Sequence, residues 1–274
     1  MARDYETLTL EENGAALFVT MHAPPMNMIG PELVRDLVSL IETLDRGEPH
    51  KVVVFKSADP DYFISHVDVT KIAAYREEAA KLTGEPSIGL LFRRLSETKA
   101  VTIAQVEGRV RGAGSEFILS CDMRFAAQGR AIFSQFEPAF GLVPGGGAVQ
   151  HLVRLLGRGR ALEVLLSADD YDAALAEHYG WVNRSFAPEA LEPFVTALAQ
   201  RIAGFPTVGL TMVKQRVDAI SLAPVDDFRR DSDLFGEGVK HPESQQRMQA
   251  AFQRGFQTRQ AEMDFGHVLG TLAE

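Results

Sequence analysis

The chain has 274 residues, with 28 lysines and arginines against 37 aspartates and glutamates, for a formal net charge of −9. This acidic balance disfavours a surface that follows nucleic-acid phosphates, and no apolar run reaches the ~18 residues of a membrane span. Cys121 is the only cysteine, which excludes an internal disulfide, argues against a zinc site and indicates a reducing compartment.

The first predicted elements are a hairpin, a helix and a buried strand. Residues 6–22 alternate apolar and polar around an Asn-Gly pair at 13–14, which is typical of an antiparallel hairpin with a tight turn. Pro31 then stands at a first helical position, where proline costs no hydrogen bond, and an apolar stripe over 33–44 predicts the helix. The valine-rich run at 51–57 predicts a strand buried on both faces.

Helices and strands continue to alternate through the middle of the chain. Asp68 can cap a helix that extends to residue 82, and apolar spacing predicts a helix over 88–95 and a strand over 100–106. A glycine-punctuated turn at 108–114 leads into an apolar segment, and two strand-like stretches follow it.

Past residue 158 the pattern becomes mostly helical, after a glycine-rich loop at 141–147 that precedes a helix. Strand-rich units followed by helices predict an α/β core over 1–200 and a helical C-terminal region over 201–274.

The simplest catalytic and phosphate-binding motifs are missing from the sequence. Gly112-Ala113-Gly114 lacks the third glycine of a dinucleotide-binding turn. There is no G-x-x-x-x-G-K-[ST], no G-x-S-x-G and no H-E-x-x-H, which argues against phosphate-loop, serine-hydrolase and zinc-protease functions. The seven histidines show no metal-ligand spacing, so we expect no metal.

Four segments together resemble the signature of the crotonase superfamily, the enoyl-CoA hydratases and isomerases. Residues 103–126 (IAQVEGRVRGAGSEFILSCDMRFA) contain its strand, its glycine turn, its small-small-small-x-Glu helix start and its Cys-Asp ending. Residues 23–29 (APPMNMI) resemble its proline-asparagine entry to the first helix, and 62–69 (YFISHVDV) its small-residue loop ending in aspartate. Residues 133–186 follow the family's order of motifs, so the resemblance covers residues 5–220 in register.

This resemblance implies an α/β fold in which ββα units stack as a spiral, followed by C-terminal helices that form trimers in the family. It implies an enzyme that acts on acyl-CoA thioesters as a homotrimer or homohexamer, and the lack of a long apolar run predicts that this enzyme is cytoplasmic. Coenzyme A is then part of the substrate, and no separate cofactor is expected. Neither a nucleic-acid partner nor a membrane partner is expected.

An acyl-CoA reaction develops negative charge on the thioester oxygen, so its site needs two fixed N–H donors aimed at that atom. By resemblance these donors are the backbone N–H groups of Val67 and Ala113. His66-Val67 departs from the family's Gly-Ala, and we interpret His66 as a loop residue near the cofactor entrance rather than a catalytic base. The resemblance also implies a set of substrate-binding residues: Ser65, His66, Asp68, Gly112 and Gly145.

Two glutamates are the predicted catalytic pair. Glu116 lies three residues past Ala113, and Glu137 follows 21 residues later; hydratases of the family hold one water between glutamates at these positions. Water addition to a conjugated double bond needs water deprotonated at Cβ and a proton delivered to Cα, and two carboxyl groups of different pKa can share these tasks. The family's roles make Glu116 the group that activates water and Glu137 the proton donor. Phe136 departs from the pattern, because a proline is usual there.

Several alternatives stay open from the sequence alone. Arg109 and Arg111 fit either contacts with CoA phosphates or a solvated turn. His66 and Phe136 make an enoyl-CoA isomerase or a C–C bond hydrolase of the same superfamily the second hypothesis. A catalytically silent, CoA-binding oligomeric module is the third. The two retained glutamates favour the first hypothesis, an enoyl-CoA hydratase, which is a hydro-lyase.

Overall fold

The structure is a computed structural model that describes residues 4–46 and 49–273. The strands are β1 (Leu8–Asn13), β2 (Ala16–Met21), β3 (Val52–Ser57), β4 (Tyr62–Ile64), β5 (Val101–Val106), β6 (Arg109–Arg111), β7 (Met123–Ala127), β8 (Ile132–Ser134), β9 (Tyr171–Asp172) and β10 (Arg184–Phe186). The helices are α1 (Pro31–Asp45), α2 (Ile72–Thr83), α3 (Ile88–Ser96), α4 (Ala113–Leu119), α5 (Ala148–Ser167), α6 (Ala173–Tyr179), α7 (Pro188–Ala203), α8 (Thr207–Ser221), α9 (Val225–Gly238), α10 (Pro242–Gln253), α11 (Arg259–Met263) and α12 (Phe265–Gly270). Short 3-10 turns lie at Val69–Lys71, Glu137–Phe140 and Thr271–Ala273.

The predicted hairpin, first helix and buried strand are confirmed. β1 and β2 pair antiparallel around Gly14, whose φ of +60° favours glycine. α1 begins with Pro31 in its first turn, and Val52–Phe55 of β3 are fully buried. β4, β6, β9 and β10 were not predicted, because strands of two or three residues are too short to show alternation; β6 occupies part of the turn predicted at 108–114.

Two sheets take strands from the chain in turn. The larger has the order β1-β2-β3-β5-β7-β10 and is parallel from β2 onward; the smaller has the order β4-β6-β8-β9, in which β4, β6 and β8 are parallel. A strand of the larger sheet is followed by a strand of the smaller sheet and then by a helix, as in β5-β6-α4 and β7-β8-α5. These stacked ββα units confirm the predicted spiral.

The main apolar core joins the sheets to helices α1 to α5. Phe55, Phe117 and Leu152 are among its fully buried members. α7 packs on the other face of the larger sheet, where Leu191 and Val195 belong to one apolar cluster with strand residues. Both faces of the larger sheet are thus covered, as parallel sheets require.

The C-terminal helices fold back over the body of the same chain. Phe256 and Phe265 belong to an apolar cluster that also contains Phe136 and Phe140, which follow β8. The predicted boundary near residue 200 falls within α7, and the division into two domains stays a prediction. Among the helices described, none combines the length and the apolar character needed to cross a bilayer.

Candidate active site

Three neighbouring parallel strands deliver the predicted site residues to one edge of the smaller sheet. β4, β6 and β8 lie side by side, with Arg111 opposite Ser134 where the last two end. Parallel strands have their carboxyl ends at the same edge, so residues that follow them emerge close together. Val67 follows β4, Glu116 follows β6 and Glu137 follows β8. Two glutamates far apart in the sequence therefore reach one place.

The Val67 backbone is held by a β-bridge to Ile29. The N–H of Ile29 donates to the His66 carbonyl at 2.8 Å, and the N–H of Asp68 donates to the Ile29 carbonyl at 3.0 Å. These two bonds flank Val67, and its own N–H has no acceptor among the residues described. The amide is therefore free to bind a ligand, and Val67 lines a cavity at this edge.

Ala113 is the first residue of α4, so its N–H has no acceptor within the helix. The start of this helix packs closely on β4, since a Cβ at Gly114 would lie 2.3 Å from the Ile64 carbonyl oxygen. Deeper in the core, the ring of Phe117 meets that of Phe55 edge-on with centroids 5.1 Å apart. These contacts fix Ala113 at the wall of the same cavity.

The Glu116 carboxyl group is buried at the start of α5. Its Oε1 accepts the N–H groups of Gly146 at 2.7 Å and Ala148 at 3.1 Å. Burial raises the pKa of Glu116 to about 7, against the lowering effect of these N–H groups. A Cβ at position 146 would lie 2.3 Å from Glu116 Oε2, so a glycine is needed there.

Glu137 opens the 3-10 turn after β8 and is also buried. Gln135 Nε2 donates to its Oε2 at 3.1 Å. Burial, and then the negative charge of Glu116, raise the pKa of Glu137 well above its ordinary value. Glu116 has helix-end donors that favour an anion, whereas Glu137 faces a negative charge. At neutral pH the arrangement favours an anionic Glu116 with a protonated Glu137.

These groups surround one cavity of about 60 Å³. That volume holds a few water molecules. Much of the wall is apolar, which strengthens electrostatic interactions inside it. The predicted residues that line it are His66, Val67, Ala113, Glu116, Glu137 and Gly145; apolar side chains of the wall include Phe136, Phe140, Leu142, Phe235 and Phe256.

Three predicted substrate-binding residues are not part of this wall. Ser65 is fully buried, and Gly112 lies beside Glu137, whose Oε1 would be 3.1 Å from a Cβ at that glycine. Asp68 Oδ1 accepts the Thr70 N–H at 3.0 Å and so caps the 3-10 turn, while its surface borders a separate groove. Substrate contacts of these residues stay predictions.

Arg111 lies neither in a solvated turn nor where it could contact CoA phosphates, the two environments considered for it. Its buried guanidinium donates through Nε to Asp170 Oδ1 and through Nη1 to the Glu262 carbonyl, both at 2.9 Å. Because α11 covers it, both a solvated turn and a phosphate contact are wrong for Arg111. Arg109 donates to the Met263 carbonyl at 3.4 Å, and its contact with CoA stays a prediction.

The buried partner of His66 was missed from the sequence. His66 Nε2 lies 2.9 Å from Glu262 Oε1, and the two residues are 1% and 0% exposed. Glu262 belongs to a helix of five residues near the C-terminus, and no local signal marks it. The N–H donors to Glu116 were missed as well, although the glycine run at 145–147 signals a close backbone approach.

Comparison with known proteins adds independent findings. The sequence profile of the family described as enoyl-CoA hydratase/isomerase matches residues 11–260. A short-chain-enoyl-CoA hydratase of Clostridium acetobutylicum is 26% identical over 266 residues, covering 93% of this chain and 100% of the relative. A crotonyl-CoA hydratase of Syntrophomonas wolfei is 26% identical over 235 residues, covering 85% and 89%. A crystal structure of a Streptomyces avermitilis protein, provisionally described as an enoyl-CoA hydratase, is 50% identical with a TM-score of 0.97 and 99% of both chains covered.

Proposed function

The chain belongs to the enoyl-CoA hydratase/isomerase family, and from that premise we propose that it adds water across the double bond of a 2-enoyl-CoA thioester. The proposal is carried by one observation: two buried glutamates of unequal environment line the same cavity as Val67 and Ala113. The names of the relatives support an acyl-CoA substrate. Coenzyme A then enters as part of the substrate.

The thioester oxygen binds between the N–H groups of Val67 and Ala113. Water addition at Cβ moves electron density onto this oxygen. Because both amides are held before the substrate arrives, they stabilise the developing charge without reorganisation. A donor in such a position typically contributes about 3 to 4 kcal/mol of transition-state stabilisation.

The two glutamates divide the proton transfers. Glu116 Oε1 is held by Gly146 and Ala148, which leaves Oε2 to take a proton from the attacking water. Glu137, protonated because of burial and the charge of Glu116, delivers its proton to Cα. The product is a 3-hydroxyacyl-CoA, and proton exchange with solvent then restores the pair.

The unequal environments of Glu116 and Glu137 also favour hydration over the alternative functions. Moving a double bond, as an isomerase does, needs a proton shuttled between carbons, for which one acid/base group suffices. A base and an acid present together suit water addition better. Two buried carboxyl groups with raised pKa values in a cavity are typical of catalysis and disfavour a silent CoA-binding module.

We also propose that the chain assembles as a homotrimer or as a homohexamer. α8 presents an exposed apolar face, and large apolar surfaces of this kind usually mark interaction sites. A second copy of the chain is the occupant that the family resemblance implies. The face consists of Val208, Met212, Val213, Val217 and Ile220, which are 55 to 78% exposed.

Hydration of crotonyl-CoA and longer 2-enoyl-CoAs, followed by loss of the conjugated absorbance, tests the reaction. We expect Glu116→Gln and Glu137→Gln each to lower kcat by roughly 10²- to 10⁴-fold. Glu243→Gln, the same change at an exposed position of α10, should keep wild-type activity. A wild-type protein that is inert on every chain length, or that only shifts the double bond of 3-enoyl-CoA, would refute the hydratase proposal.

A further inference from the structure

Glu262 touches both loops that carry the proposed oxyanion donors. Its Oε1 lies 2.9 Å from Nε2 of His66, the residue before Val67. Its main-chain carbonyl accepts Arg111 Nη1 at 2.9 Å, just before the loop of Ala113. One residue of α11 therefore ties together two loops that are far apart in the sequence.

Both ring nitrogens of His66 face oxygen acceptors. Nδ1 lies 2.7 Å from the Val67 carbonyl, which cannot donate, and Nε2 faces the Glu262 carboxyl group. Burial acts to raise the pKa of Glu262, but the His66 charge, the His66 hydrogen bond and the Gln257 N–H outweigh it, so this pKa is lowered. An ionised carboxylate cannot donate either. Neither ring nitrogen is therefore free to act as a base, because each lies within hydrogen-bond distance of an oxygen atom.

Aromatic rings hold the His66 ring in place. Phe256 stacks on His66 with centroids 4.9 Å apart, and Phe136 meets its edge at 5.6 Å. The pair with Glu262 is shielded from water, where charge interactions are strongest. His66 therefore cannot turn away from the Val67 carbonyl.

The Val67 backbone is held from the C-terminal side by two groups. His66 Nδ1 lies 2.7 Å from its carbonyl, and Gln257 Nε2 donates to the same oxygen at 3.2 Å. Gln257 is itself fixed, because its N–H donates to Glu262 Oε1 at 3.2 Å. With the bridge to Ile29 on the other side, the direction of the Val67 N–H is determined.

We propose that Glu262 is a positioning residue for the oxyanion site, which orients the Val67 amide through the His66 ring and anchors the Ala113 loop through Arg111. The inference rests on the proposed function, since it assigns these amides to the thioester oxygen.

Glu262→Gln separates this role from simple packing. Oε1 keeps its function as an acceptor, and Oε2, where the amide nitrogen would stand, has no hydrogen-bond partner among the residues described. The variant removes the negative charge beside His66 and so weakens the contact that holds its ring against the Val67 carbonyl. We expect kcat to fall roughly 10- to 100-fold, because a small displacement of a catalytic donor has that effect. KM should change by less than about threefold, since ground-state contacts remain.

A matched control and a fold check accompany this variant. Glu243→Gln on α10 makes the same change at an exposed position and should keep the wild-type kcat. Thermal melting of both variants reports folding. A lower melting temperature of Glu262→Gln with an unchanged kcat would assign the residue a purely structural role and overturn the proposal.

Acetoacetyl-CoA gives a readout that does not require water addition. Its α-proton passes to a carboxylate of the site, and the resulting enolate, which has its own absorbance, carries negative charge at the thioester oxygen. We expect Glu262→Gln to lower the bound enolate fraction about tenfold with little change in affinity. If the variant loses enolate in this way and the wild-type protein does not hydrate crotonyl-CoA, the hydratase proposal is rejected and the positioning role is kept. Equal enolate fractions and equal kcat in both proteins would reject the positioning role and leave the hydratase proposal standing.

Discussion

Glu116 accepts two backbone N–H groups at the start of α5, whereas Glu137, in the same cavity, accepts one side-chain amide from Gln135. The donors at a helix N-terminus stabilise an anion. Glu137 faces that anion in a buried setting, so it retains its proton. Two identical side chains thus acquire opposite protonation states from their surroundings, which is the arrangement that acid/base catalysis near pH 7 needs.

The rate of hydration should depend on pH with a bell-shaped profile of kcat/KM. Glu116 must be ionised to take a proton from water, so activity should fall as pH drops below about 7. Glu137 must be protonated, so activity should fall again at higher pH as it ionises. Because the two groups interact, the limbs belong to the pair rather than to single residues. Initial rates with crotonyl-CoA across the range measure both limbs, and a flat profile through neutral pH would contradict the assignment.

The stability of the protein should carry the signature of the buried Glu116. The pKa of this group is raised in the folded state to about 7, so its contribution to stability is full below its unfolded pKa and is lost as pH rises through the folded value. Glu116→Gln cannot ionise at this position, so it does not lose stability in this way as the pH rises. The free energy of unfolding of the variant, compared with that of wild type, should therefore rise by roughly 1 to 2 kcal/mol when the pH is changed from mildly acidic to mildly alkaline.

Denaturant unfolding at two pH values tests this gain. Glu243→Gln, whose side chain lies at an exposed position, should show the same difference from wild type at both. A Glu116→Gln difference that is constant with pH would mean that the Glu116 pKa is not raised.

The parts of the site that could be predicted from the sequence rest on local patterns. The turn at Gly112, the helix start that carries Glu116 and the strand before Glu137 each have a recognisable motif. Their convergence depends on the parallel pairing of β4, β6 and β8, of which only β8 was predicted as a strand. The sequence shows Gly146 as part of a glycine run. Only the structure shows why a glycine stands there, which is that a side chain would collide with Glu116 Oε2.

The His66–Glu262 pair could not be predicted, because its partners meet only after the C-terminal helices have packed. α11 has five residues, so it presents too little periodicity to identify a buried face. Arg111 was misjudged for the same reason: an arginine beside a glycine turn is usually solvated, and here α11 covers it. Long-range burial of charge is decided by tertiary packing rather than by the local sequence.

The exposed apolar face of α8 predicts an effect on assembly. Ile220 is 78% exposed, and Ile220→Asp places a charge where a second copy is expected to pack, which costs several kcal/mol on burial. We expect this variant to become a monomer of 30.1 kDa by light scattering coupled to size-exclusion chromatography. Gln246→Glu adds a negative charge at an exposed position of α10 and should leave assembly unchanged. A wild-type chain that is monomeric at high concentration would rule out the proposed oligomer.

Gly146 controls the position of the catalytic base, and this can be tested by a single methyl group. A Cβ at this position would lie 2.3 Å from Glu116 Oε2, so Gly146→Ala must displace either the carboxylate or the loop. We expect kcat to fall by about 100-fold, as for other small displacements of a catalytic group, with a smaller change in KM. The matched control is Gly159→Ala in the second part of α5, because a Cβ there meets no atom within 4 Å. Gly159 has no positive φ and lies two residues after Gly157, whose non-helical backbone divides α5, so we expect this control to be about as stable as wild type and fully active. Full activity of Gly146→Ala would show that the bond from the Gly146 N–H does not hold Glu116 in its working position, and the assignment of Glu116 as the base would lose its structural support.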